Sequence, residues 1–509
     1  MKKVLAIALC SVVALGSLVS YSSVSAYNRS KVNIKPKMLK EEFNFGNSSN
    51  QTPKYIFMFI GDGMSYVQLN AAQVYEGNNN YGEVSPRLLN FTQFPAAGVA
   101  TTHDSTSFCP DSASTATSLA SGVKTHSGTI GLEVDKTTVA PTITELLKKQ
   151  KGMKIGIVSN VTINHATPAA YYSHVVSRNS YYDIATQMAN SGFDYFGGGT
   201  INKPTGDKKD QKNAFEVLQE KGYEIADTKE EILSLNKNSG KVYAVSPKLQ
   251  DSGAMPYALD TKDGDLQLKD FVKKGIDVLE NKNGFFLMCE SGKIDWACHA
   301  NDAKSVIYDV LAFEKSIQVA VDFAKKHPKE TLIIVTADHE TGGMTIGQAS
   351  TGYDTAFDVL ESQKLSYVEF DSLISGKKKQ DADGLTFEEV MPLITENFGL
   401  IEPNEEISNN PLEMTEYEYK KLKAGFEESM KIEKMKSEEN SILYGGYDPL
   451  SVSVTHILNN KSGIGWTSYS HTGVPVGVFA TGASSEAFNG SYDNTEVFNK
   501  LAEITRVKK

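Results

Sequence analysis

The sequence predicts an α/β fold: a three-layer sandwich in which a large, mostly parallel central sheet is covered by helices on both faces. Two observations carry the prediction. Residues 55–60, 154–159, 284–290, 331–336 and 474–480 are short, nearly continuous apolar runs, the pattern of strands buried on both faces rather than one. Between them, residues 141–150, 266–281 and 303–326 carry helical periodicity, and strands alternating with helices give parallel sheets. In such folds ligands gather at the carboxyl ends of strands. Asp62, Glu290 and Asp338 each stand at or just past such an end.

The flanking segments read differently. Lys2 and Lys3, an apolar stretch over residues 5–19 and the small residues Val24, Ser25 and Ala26 form a signal peptide over 1–26. This implies export to the periplasm or the extracellular space, with no membrane span after cleavage. Residues 27–53 are a polar lead-in, and 54–509 form the main domain. Within it, residues 346–460 read as an inserted surface region, with an exposed Glu/Lys-rich helical stretch over 413–440. The net charge of -11 and the absence of clustered Lys or Arg argue against a nucleic-acid partner. After cleavage Cys109, Cys289 and Cys298 remain, so at least one thiol is unpaired or pairs between chains.

Five segments carry chemistry. Asp62 sits between two glycines after the first strand. Ser112 follows Pro110 and Asp111 at the start of a small-residue helix, whose free N–H groups and partial positive charge suit a phosphoryl group. Asp295 and His299 are spaced i, i+4 after Glu290, which puts two ligands on one helical face. Asp338 and His339 adjoin directly after a strand, and His471 precedes one. Each alone has an ordinary reading as a turn, a cap, an ion pair or a polar loop. The run Phe196-Gly197-Gly198-Gly199 lacks the Lys-Ser/Thr ending of a phosphate loop and reads as a turn.

Taken together, in this order and wording, the segments resemble the alkaline phosphatase family over residues 54–505. The resemblance implies a secreted enzyme that hydrolyses phosphomonoesters to an alcohol and inorganic phosphate, with two Zn²⁺ and one Mg²⁺, as a homodimer. It implies Ser112 as the nucleophile that becomes phosphoserine and Arg178 as the clamp on the phosphoryl oxygens. Asp295, His299 and His471 would hold the first zinc, and Asp62, Asp338 and His339 the second. Asp62, Thr167 and Glu290 would hold magnesium. His165 and Trp296 stand where some members carry Asp and Lys, bordering the third metal and the phosphate without ligating. The His/Trp pairing is similar to that of some bacterial members. The alternative is another hydrolase of the same superfamily, a phosphodiesterase or a sulfatase; the sulfatase is the weaker of these because Cys109-Pro110-Asp111-Ser112 lacks the Cys-x-Pro-x-Arg spacing, and a non-catalytic metal-binding protein would not need Ser112.

Overall fold

The computed structural model describes Phe43 and residues 51–80, 85–380, 385–404, 409–431 and 437–509. The leader and most of the lead-in lie outside the described residues. No helix among those described is long and apolar enough to cross a membrane.

A ten-stranded sheet forms the centre. Tyr55–Gly61 lies in its middle, parallel to Phe285–Ser291 on one side and Thr331–Thr336 on the other. Every residue of these three strands is buried, which is why their sequences run apolar without alternation. Lys154–Ser159 continues the sheet beyond Phe285–Ser291. On the other side Val476–Gly482 runs antiparallel to both Thr331–Thr336 and Ala96–Thr101. All five expected strands are present, shifted by at most two residues. Five others are Ala96–Thr101, Tyr195–Gly198, Tyr223–Ala226, Lys241–Val245 and Gly490–Asp493. They are short or glycine-rich, so periodicity does not reveal them.

Phe196–Gly198 corrects the reading of that glycine run as a turn. It belongs to a buried strand that pairs with Lys154–Ser159. The glycines permit close approach: at Gly198, φ is 121° and a Cβ would fall 1.7 Å from the Ser159 carbonyl oxygen.

Helix Ala303–Lys326 packs against Leu268–Leu279, Lys293–His299 and Tyr66–Asn80. The described residues of 346–460 are mainly helical, and Phe370, Val390, Ile394, Leu422, Phe426 and Ile457 among them join the one hydrophobic core of the described chain. Helix Glu416–Ser429 exposes its Glu/Lys face but buries Leu422 and Phe426 against Pro449–Ser462. The three described cysteines are free, Cys109 exposed and the other two buried.

Candidate active site

Most of the chemical residues stand on or beside the ends of strands and helices, and Arg178 lies in a turn before helix Tyr181–Asn190. Asp62 follows the central strand directly. The next residue, Gly63, has φ of 72°, and a Cβ there would meet the Asp295 Cα at 2.9 Å. Only glycine lets the two segments approach this closely. Ser112 opens helix Ser112–Ser121, with Asp111 as N-cap accepting from the Ser114 N–H. Asp111 also accepts from Arg178 Nη1 at 3.0 Å and from the Gly128 N–H at 2.8 Å. Burial pushes the Asp111 carboxyl up, but Arg178 and these N–H donors outweigh it and hold it below the usual range. Asp111 thus stays charged and fixes the Arg178 fork. Its place beside Ser112 was the only sequence signal of that role.

The structure brings the predicted ligands into three groups, each with donor atoms within 4.8 Å of one another: Asp295, His299 and His471; Asp62, Asp338 and His339; and Asp62, His165 and Glu290. Ser112 Oγ lies 3.1 Å from His339 Nε2. Thr167 Oγ1 donates to Asp62 at 3.1 Å, and Ser159 Oγ donates to Glu290. Arg178 and Ser112 line one cavity. A His165 ring nitrogen therefore joins a set that sequence reasoning read as oxygen-only. The His165 and Trp296 rings meet edge-on at 5.8 Å.

Missed residues hold this arrangement. Thr341 Oγ1 donates to Asp295 at 2.5 Å. His471–Thr472 pairs with Glu340–Thr341 in a two-residue ladder, which carries His471 to Asp295. His299 Nδ1 lies 2.6 Å from the Tyr469 carbonyl and His471 Nδ1 2.6 Å from that of Pro110. Carbonyls only accept, so both Nδ1 atoms carry protons. The two Nε2 atoms then face each other at 3.1 Å. Two lone pairs cannot remain so close without a proton or a cation between them.

The carboxylates carry the same message. Asp62 Oδ1, Glu290 Oε1 and Asp338 Oδ2 are buried and accept no hydrogen bond. Burial pushes Glu290 up to about 7. Burial, with neighbouring carboxylates added, raises Asp62 and Asp338 well above their usual range. Burial pulls His299 down, but Asp295 outweighs it and lifts the imidazolium to about 9. A concave site that concentrates this much negative charge is built for cations.

These shifts contribute to how the stability of the metal-free protein changes with pH. A group with a raised folded pKa contributes stability that is full below its unfolded pKa and is lost as pH rises through the folded value. Glu290 acts from the ordinary carboxyl range to about 7, and His299 from the ordinary imidazole range to about 9. The buried His165, His339 and His471 act in the opposite direction below the ordinary imidazole range, and the buried Lys293 does so above about 8, because burial lowers all four.

A family model for alkaline phosphatase matches residues 53–507. Alkaline phosphatase 4 of Bacillus subtilis (strain 168) is 32% identical over 466 residues, covering 89% of each chain. The chain belongs to the alkaline phosphatase family. It is accordingly a phosphatase, and membership implies phosphomonoester substrates and phosphate as product. Among solved structures, the cold-active alkaline phosphatase of the psychrophile Shewanella sp. is 26% identical, with a TM-score of 0.70 over 89% of this chain and 99% of that one. A variant of the alkaline phosphatase of the Antarctic bacterium TAB5, solved with Mg bound in its M3 site, is 25% identical with a TM-score of 0.60, over 90% and 100% of the two chains.

Proposed function

We propose that this alkaline phosphatase hydrolyses phosphate monoesters through a phosphoserine on Ser112, at a centre of two Zn²⁺ and one Mg²⁺. The observation that carries the reading is the position of Ser112 Oγ, 3.1 Å from His339 Nε2 on a helix N-terminus and beside buried carboxylate oxygens that lack hydrogen bonds.

The residues fit the cations. Asp295, His299 and His471 would hold one zinc and Asp62, Asp338 and His339 the other, since imidazole with carboxylate suits zinc. The 3.1 Å between His299 and His471 Nε2 is near the spacing of about 3.3 Å for two nitrogens on one tetrahedral zinc. Asp62, Thr167 and Glu290 would hold magnesium, with His165 beside them. The TAB5 protein with Mg in its M3 site is a variant in which a histidine is replaced by glutamate. When bound, the cations acidify the serine hydroxyl and the hydrolytic water and neutralise charge on the entering and leaving oxygens.

The chain's own residues do the rest. Ser112 Oγ attacks phosphorus in line: the Oγ–P bond forms as the bond from phosphorus to the alcohol oxygen breaks, and the alcohol leaves with a proton. Water then attacks from the vacated side, the Oγ–P bond breaks, and phosphate departs with the configuration at phosphorus retained. Arg178, anchored through one nitrogen to Asp111, offers its remaining donors to two phosphoryl oxygens. Acceleration of this reaction reaches up to about 10²¹-fold, roughly 29 kcal/mol, against about 10²–10⁴-fold for general acid–base catalysis. Most of the effect must come from charge placed where charge develops.

Export and a homodimer belong to the same reading, resting on the leader sequence and the family. The test is turnover of a chromogenic monoester beside its diester on the zinc- and magnesium-loaded protein. The monoester is expected to be strongly preferred, and a preference for the diester would redirect the reading to another phosphohydrolase.

A further inference from the structure

The cavity over Ser112 is larger than a phosphoryl group requires, at about 420 Å³. Ser112 and Arg178 occupy one part of its wall. Elsewhere the wall presents the aromatic rings of Trp296, Tyr367 and Tyr447, together with Asp251, Ser252 and Asn202. A second cavity of about 530 Å³ shares Asp251, Tyr367 and Tyr447 with the first and continues along helix Tyr367–Gln380. Asp251, Tyr367 and Tyr447 thus border both spaces.

The Asp251–Ser252 turn is held in an unusual conformation. Asp251 and Ser252 have φ of 39° and 61°, in the left-handed region that non-glycine residues rarely occupy. The neighbours impose it: the Gln250 N–H donates to the Ala254 carbonyl at 2.8 Å, and the Thr200 N–H to that of Gly253 at 2.9 Å. Lys293 Nζ stands 3.5 Å from Asp251 Oδ2, its side chain fully buried. The same Nζ lies 3.6 Å from the Tyr257 ring centre and 4.9 Å from that of Trp296. Lys293 thereby links the carboxylate to the aromatic wall. The Tyr367 and Tyr447 rings meet edge-on at 5.7 Å.

Aromatic faces with a carboxylate, a hydroxyl and an amide at their margins match a sugar ring. Its C–H faces pack on the rings, and its hydroxyls donate to Asp251 and exchange hydrogen bonds with Ser252 and Asn202. We infer that this wall is a leaving-group subsite for phosphomonoesters whose alcohol is a sugar ring, either a free sugar phosphate or the ribose of a nucleotide. The inference rests on the reading of Ser112 and Arg178 as the phosphoryl end.

The test compares kcat/KM of the metal-loaded enzyme for ribose 5-phosphate, adenosine 5′-monophosphate and butyl phosphate, in the wild type and in Asp251→Asn and Ser252→Gly. Both ribose esters are expected to exceed butyl phosphate by about tenfold or more, and Asp251→Asn to reduce that ratio by about tenfold, the loss of roughly one hydrogen bond. Ser252→Gly, which relieves the left-handed strain, is expected to lower the ratio while raising the melting temperature, an outcome loss of folding does not produce. A wild-type ratio near one, or a ratio that neither variant moves, overturns the subsite. Preference for the nucleotide with ribose 5-phosphate at the butyl level overturns it in favour of base recognition. Turnover of butyl phosphate without sugar preference leaves the proposed function standing; turnover of none of the three removes both.

Discussion

Ser112→Ala is expected to lower kcat on a monoester by about 10⁴-fold or more, the scale seen when a nucleophile that acts as one unit with its activating groups is removed. The substitution deletes one oxygen from a buried helix start. The Asp111 cap to the Ser114 N–H and the Arg178–Asp111 pair do not depend on that oxygen, so KM should move far less than kcat and the fold should persist. Steady-state kinetics with a melting curve checks both. A loss below tenfold would remove Ser112 as the nucleophile and leave direct attack by water.

Stripping the metals is expected to abolish turnover, with full recovery only when zinc and magnesium are supplied together. The electrostatics require this. Asp62, Glu290 and Asp338 keep buried oxygens without hydrogen bonds, and the metal-free pocket meets an anionic phosphomonoester with like charge. Among the described residues Arg178 is the one arginine lining the cavity, and one of its nitrogens is committed to Asp111. A single guanidinium fork cannot supply an effect of roughly 29 kcal/mol. Add-back of each ion singly and both together, with metal content measured on the same samples, decides the point. Unchanged turnover in fully stripped protein would contradict it.

Much of this was legible in the sequence because the chemistry sits at the ends of buried strands. Asp62, Glu290 and Asp338 are announced by apolar runs that end at them, and the i, i+4 spacing of Asp295 and His299 by helical geometry. Other parts depend on pairing that periodicity does not record. His471 reaches Asp295 through a two-residue ladder with Glu340–Thr341. Tyr367 and Tyr447 face the cavity from a segment that looked like surface decoration. The glycines of Phe196–Gly199 read as a turn because close strand contact and tight turning select the same residue. The imidazole at position 165 was placed beside the third site, but only the fold shows how near its nitrogen lies to Asp62 and Glu290.

The central claim is that Ser112 Oγ is bonded to phosphorus during turnover. Acid-quenching the metal-loaded enzyme in the presence of labelled phosphate and locating the label by peptide mass spectrometry tests it directly. The account predicts phosphate on the peptide containing Ser112, at that residue, and none in Ser112→Ala. Vigorous monoester turnover with no label on Ser112, or with label on another side chain, would contradict it.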